Sequence, residues 1–76
     1  MTRLPSLTGR EVVRALQSAG FVLVRTSGSH HRLMDPKNPS RAATVPVHSS
    51  KALKRGTLHG IIKQAGLTVE TFIAFL

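Results

Sequence analysis

The sequence predicts one α+β domain over residues 1–76, with elements in the order α-β-β-β-α, a three-stranded antiparallel sheet and helices packed on one of its faces. Three observations predict it. Apolar residues recur at helical spacing towards both ends of the chain. The middle is rich in β-branched residues and is interrupted by turn formers. The connections between those middle runs are too short to hold a crossover helix, which leaves an antiparallel meander.

Thr8-Gly9-Arg10-Glu11 has the form of a capping box, in which the Thr8 hydroxyl accepts from the Glu11 amide and the Glu11 carboxylate reaches back. Val12, Val13, Leu16 and Ala19 follow at helical spacing, and Gly20 supplies a left-handed cap, so the first helix ends there. Residues 21–26 read as a strand and Ser27-Gly28 as the turn after it. Residues 30–34 form a second strand and 35–40 a turn-rich connection. Residues 41–47 make a third strand, whose Pro46 suits an edge or a strand end. A polar loop over 48–55 leads to Gly56-Thr57; Thr57 is expected to cap a helix that carries Leu58, Ile61, Ile62 and Ala65 and ends at Gly66. Thr68 caps a short last helix over about residues 69–76, with Val69, Phe72, Ile73 and Leu76 on one stripe. This layout leaves the second face of the sheet bare.

Charge is the dominant compositional feature. Eleven Lys and Arg face three acidic residues, Glu11, Asp35 and Glu70, for a net +8. So lopsided a balance costs stability through self-repulsion, and polyanions, phosphate backbones first among them, are the partners that offset it. Solubility alone is the blander reading. A chain this short has no room for both a core and an enclosed cavity, so any chemistry belongs on a surface or in a shallow groove. The absence of cysteine excludes a disulfide framework, a thiolate nucleophile and a Cys-ligated zinc. The opening residues lack the form of a signal peptide, and no stretch approaches the ~20 apolar residues of a membrane span. The expectation is therefore a cytoplasmic protein with no membrane association.

Histidines occupy positions 30, 31, 48 and 59. Strand alternation sends His30 and His31 to opposite faces, so the two cannot chelate one ion together. If Leu33 belongs to the core, His31 is partly buried and His30 projects from the bare face beside Arg32; a one-residue slip exchanges them. Arg32 is much harder to bury than Leu33, which favours His30 outward. An exposed imidazole among cations suits RNA cleavage, because histidine exchanges protons near neutrality and RNA brings its own nucleophile, the 2′-hydroxyl. A base for that proton, with cations to hold the phosphate, suffices without metal or covalent intermediate. Gly28 lets the backbone approach a phosphate closely, and the Ser29 hydroxyl can donate to it. Against this, a histidine on an exposed strand is commonplace.

His48, at the end of the third strand, is either a second acid on the same face or an ordinary polar loop residue. His59 reads as an exposed helical residue. A metal site would have to gather His30, His48 and Asp35, a poor ligand set, so no metal or other cofactor is expected. Lys51, Lys54 and Arg55 precede the second helix and its free amides at Gly56 and Thr57; they form a phosphate grip or a solvated loop. Arg10, Arg14, Arg25 and Arg41 are expected to extend the field without specific contacts. Phe21, Phe72 and Phe75 fall on apparent core stripes, which leaves no base-stacking platform and makes phosphates the main points of contact.

Taken in order, Gly20-Phe21, Gly28-Ser29-His30-His31, Val45-Pro46-Val47-His48, Leu53-Lys54-Arg55-Gly56-Thr57-Leu58 and Ile61-Ile62-Lys63-Gln64-Ala65-Gly66-Leu67 resemble the HicA (YcfA-like) toxin family over roughly residues 8–70. Each motif alone is weak, and the ordered set is specific. The resemblance implies a fold similar to a double-stranded-RNA-binding domain and ribosome-independent cleavage of mRNA, that is, an mRNA interferase. It also implies a cognate antitoxin of the HicB type covering the active face. Complementary potential requires such a partner to be acidic, and the neighbouring reading frame is the place to look for it. The family's essential histidine follows a Gly-Ser pair, which maps onto His30, with Gly28 as the turn glycine; the His-His pair keeps His31 as the alternative. The helix over 69–76 goes slightly beyond the family's usual end and is expected to add packing. A non-catalytic RNA-binding module of the same fold is the competing reading. A DNA-binding regulator ranks last, for want of a helix-turn-helix pattern.

Overall fold

A computed structural model of the chain describes residues 3–76. The first helix, α1, runs over Gly9–Ser18, and Thr8 caps it. The Glu11 amide donates to the Thr8 hydroxyl at 3.2 Å and the Thr8 amide to the Glu11 carboxylate at 2.9 Å, so the capping box forms as the sequence predicts. Leu7 and Val12 hold the two staple positions flanking the cap, and both are buried. Gly20, at φ 101°, turns the chain out of the helix in a conformation that L side chains rarely adopt.

Three strands follow, β1 (Val22–Ser27), β2 (His30–Asp35) and β3 (Asn38–Pro46), joined in the order β1-β2-β3 and antiparallel throughout. The first hairpin turns at Gly28-Ser29, one residue later than the sequence predicts, because Ser27 pairs with His30. Gly28 has φ 58° and no side-chain-bearing residue has positive φ among those described, which is the type II′ pattern that matches strand twist. The second hairpin is tighter than expected. Asp35 pairs with Asn38, Pro36-Lys37 makes the turn, and β3 begins at residue 38 instead of 41. An irregularity beside Met34 absorbs the extra residues, and Pro39 and Pro46 are tolerated because β3 is an edge strand.

The helix α2 covers Arg55–Gln64. It starts ahead of its expected cap: Lys54 is the N-cap, no side chain caps it, and Thr57 lies inside the first turn. The last helix, α3, is shorter than the predicted stripe, running over Val69–Ile73 with Phe72 buried and Leu76 exposed. Phe75 is also at the surface, so only Phe21 and Phe72 of the three phenylalanines belong to the core. The core lies between one sheet face (Leu33, Ala43, Val45) and the helices (Val12, Ala15, Leu16, Leu58, Ile61, Ile62, Ala65), closed by Leu4 and Leu7 from the segment before α1. The sequence reading assigned that segment nothing. It is pinned by the Leu53 amide donating to the Leu7 carbonyl at 2.7 Å and by an Arg55 guanidinium N–H donating to the Leu4 carbonyl at 3.2 Å. No helix among the described residues is long and apolar enough to cross a membrane.

Candidate nucleic-acid interface

The register of the two hairpins settles which side chains share the bare face. His30 pairs with Ser27 and Pro46, and Arg32 with Arg25 and Thr44. Partners across an antiparallel ladder point the same way. Leu33, one residue on, is buried among the helices, so His30, Arg32 and Arg25 stand on the opposite, open face, and all three are exposed. His31 pairs with Thr26 and the buried Val45, so it lies on the helix-covered face and is half-buried.

Arg25 and Arg32 are directly opposed across β1 and β2. Like charges in that position repel. An Arg32 N–H donates to the Thr44 hydroxyl at 3.2 Å, which steers the guanidinium across the face towards β3. Among the described residues the only ion pair is Arg41 with Asp35, so neither Arg25 nor Arg32 is neutralised. The sequence reading treated Arg25 as part of a diffuse field. Its opposition to Arg32 depends on the turn falling at Gly28-Ser29, which could be read from Gly-Ser as a II′ pair.

A cationic hollow lies at the end of β3. The Val47 amide donates to the Ser29 carbonyl at 2.6 Å, tying the end of β3 to the hairpin turn. Pro46, the cross-strand neighbour of His30, then forms one wall of an open hollow of about 260 Å³ that is also lined by Gly9, His48, Lys51, Lys54 and Thr57. A second hollow, lined by Thr8, Arg10, Val47 and Ser50, meets the first at His48 and Ser49. The loop that forms these walls is held by the short Thr8–Ala52 bridge and by the Leu53–Leu7 hydrogen bond. A Cβ on Gly9 would collide with the Pro46 carbonyl, so α1 approaches the strand end more closely than any other residue type allows. No such approach is legible from Gly9 as an ordinary first-turn residue.

Not every predicted cation joins this group. Arg55 has one N–H committed to the Leu4 carbonyl, and Arg41 is wholly structural. The Arg41 guanidinium donates to the Ala65 carbonyl at the end of α2 at 3.1 Å, pairs with Asp35 at 3.6 Å and lies over the Phe21 ring at 5.9 Å. The expectation that it makes no specific contact is therefore corrected. The acids are similarly placed. Glu11 is held by Thr8, whose amide and hydroxyl keep its carboxyl below the usual carboxylate range, and Asp35 is held by Arg41 and the Lys37 amide. His59 is exposed on α2. Among the described residues no three of His, Asp or Glu converge as metal ligands would.

A bare face carrying an imidazole, two unneutralised guanidiniums and an adjoining lysine-lined hollow can hold a chain of phosphates and move a proton beside it. A family model described as the HicA toxin of bacterial toxin-antitoxin matches residues 9–67 of the chain. No curated protein matches the chain.

Proposed function

Because the chain belongs to the HicA toxin family, and is thus a toxin of a toxin–antitoxin system with a cognate antitoxin, we propose that it is a ribosome-independent mRNA endonuclease, inhibited by an acidic antitoxin of the HicB type. The observation that supports this most is the placement of exposed His30 on the open face beside the opposed pair Arg25 and Arg32. The His30 imidazole takes the proton of a ribose 2′-hydroxyl, and the freed oxygen attacks the adjacent phosphorus. Negative charge builds on the non-bridging phosphate oxygens, where Arg25 and Arg32 offset it and their mutual repulsion is relieved. The bond to the 5′-oxygen breaks, leaving a 2′,3′-cyclic phosphate and a 5′-hydroxyl. The departing oxygen takes its proton from His48 or from Lys51 and Lys54 in the hollow. The Ser29 hydroxyl and the turn at Gly28 bring backbone and side-chain donors to the same phosphate. Neighbouring phosphates run over Lys51 and Lys54, giving affinity without base readout. The scheme uses no metal and acts in the cytoplasm, where its substrate is.

Induction of the wild-type chain and of His30→Ala in cells lacking the antitoxin tests the reading. His30→Ala should abolish growth arrest and slow RNA cleavage by the purified protein roughly 100- to 10,000-fold. Equal arrest by both would sink His30 catalysis, and tight RNA binding without cleavage by the wild type would make the chain a binding module. Loss of activity on adding a chelator would overturn the metal-free scheme.

A further inference from the structure

We propose that the free rim of β1 is a strand-addition site for an extended segment of the antitoxin, one that sets an acidic side chain against Arg25; this rests on the reading of the antitoxin as an acidic partner.

β1 is an outer strand of the sheet, and every one of its residues is exposed. Three consecutive apolar side chains, Val22 at 43%, Leu23 at 44% and Val24 at 47%, are open to solvent. A rim of this kind is unusual in a monomer, because unpaired N–H and C=O groups beside apolar side chains template pairing with another strand. Natural edges are guarded by lysine, proline or a very short strand, and this one has none of those; its irregularity at Val24 and its Arg25 are the only guards. The other outer strand differs. β3 buries Ala43 and Val45 beneath α1 and α2 and carries prolines at 39 and 46. In the hairpin, Ser27 and His30 flank a two-residue turn and exchange hydrogen bonds, so by antiparallel alternation the amide and carbonyl of Thr26 point to the free rim.

Charge decides the occupant. A second copy would join two +8 chains along a strand bearing Arg25, with no acid on either rim to offset it. An acidic strand gains from the same field. Once paired, it lies one strand spacing, about 4.8 Å, outside β1, with alternate side chains directed over the open face at Arg25 and Arg32. Backbone pairing supplies affinity and register aims the acid. The antitoxin thus takes the position of the RNA phosphate.

The test uses the purified product of the adjacent reading frame with the wild-type chain, followed by amide hydrogen exchange, alongside binding by Val24→Glu and Val24→Lys. Exchange at the Thr26 amide should slow in the complex, and Val24→Glu should bind about tenfold more weakly than Val24→Lys through like-charge repulsion. Unchanged exchange over residues 22–27 in a formed complex overturns the proposal and leaves the nuclease reading intact. Equal binding by the two variants with no protection of Thr26 does the same. Absence of any complex overturns the proposal together with the partner reading. Protection of Thr26 in a chain that cuts no RNA upholds the docking site and removes the nuclease. Should Val24→Glu fail to fold, exchange in the wild-type complex decides alone.

Discussion

The two ends of the sheet are built from the same kinds of residue and use them oppositely. At the end where β2 turns into β3, charge is consumed locally. Arg41 binds Asp35, the Ala65 carbonyl and the Phe21 ring; Asp35 also takes the Lys37 amide, and Ser40 donates to Asn38 at 2.6 Å. At the end where β1 turns into β2, charge is left unspent. Arg25 opposes Arg32, His30 is exposed, and Lys51 and Lys54 line an open hollow. The chain contains no acidic residue between Asp35 and Glu70, so nothing in the loop that closes this second end can neutralise it. Arginine count therefore says little; what separates scaffold from site is whether each guanidinium finds an acidic partner within the fold.

Exchanging the roles of the two ends gives the largest effect. His30→Ala should lower cleavage roughly 100- to 10,000-fold and leave the melting temperature nearly unchanged, since the ring is exposed and makes no hydrogen bond among the described residues. Arg41→Ala should do the reverse. Loss of a hydrogen bond to a helix end, a partly buried ion pair and a ring contact costs about 1–2 kcal/mol, or roughly 4–16 °C in a domain of this size. Cleavage per folded molecule should persist. A large activity loss in Arg41→Ala at temperatures where it is folded would erase the distinction between the ends.

Gly9→Ala probes a place where scaffold and site share a contact. The new methyl group meets the Pro46 carbonyl, so α1 or the end of β3 must shift. Overpacking of this kind costs about 1–3 kcal/mol. Pro46 is both the neighbour of His30 and a wall of the hollow, so cleavage should fall as well, and more than in Arg41→Ala. Thermal melts and single-turnover cleavage on the same preparation check both halves. A variant with wild-type stability would show that the close approach is not required.

Much of this was legible from residue types, and the misses share a cause. The capping box at Thr8 and Glu11, the left-handed glycines at 20, 28 and 66, the helix stripe from Leu58 to Ala65 and the outward side of His30 all depend on short-range spacing. The misses are long-range or depend on register. Moving the first turn by one residue decides whether Arg25 faces Arg32. Arg41 and Ala65 are 24 residues apart, and Arg55 and Leu4 are 51 apart, so no local pattern couples them. Leu7 carried a usable signal, since an apolar residue just before a capping threonine is half of a hydrophobic staple. Phe75 and Leu76 continued an apolar stripe that the fold leaves outside, because α3 stops at Ile73.

The lysines of the hollow give a smaller and more diagnostic effect. If Lys51 and Lys54 hold phosphates, Lys51→Ala with Lys54→Ala should raise KM more than it lowers kcat. The slope of log affinity against log salt should become shallower by about 1.4, at ~0.7 per contact on a single strand. Affinity should fall alike for RNAs of different sequence. An unchanged salt slope would mean that these side chains are solvated and that RNA does not cross the hollow, which would confine the interface to the sheet face.

The smallest expected effect lies at the cap of α1, on the boundary of the second hollow. The Thr8 amide and hydroxyl hold the Glu11 carboxyl below its ordinary range in the folded chain, while the unfolded chain keeps the ordinary value. The unfolded state therefore takes up protons first as the solution is acidified, and stability falls with pH through that window. The contribution is complete above the ordinary carboxylate range and is gone once the pH drops below the folded value. Thr8→Ala removes the hydroxyl cap, costs about 1 kcal/mol near neutrality, and should shrink the acid limb of a stability-against-pH curve only in part, because the amide at position 8 still donates to Glu11. Arg41→Ala, acting at the other end, should leave the Glu11 part of that limb in place. Denaturant unfolding at a series of acidic pH values distinguishes the two. If Thr8→Ala retained the full acid dependence, the hydroxyl would contribute nothing to it, and the limb would rest on the amide that residue 8 keeps in either chain.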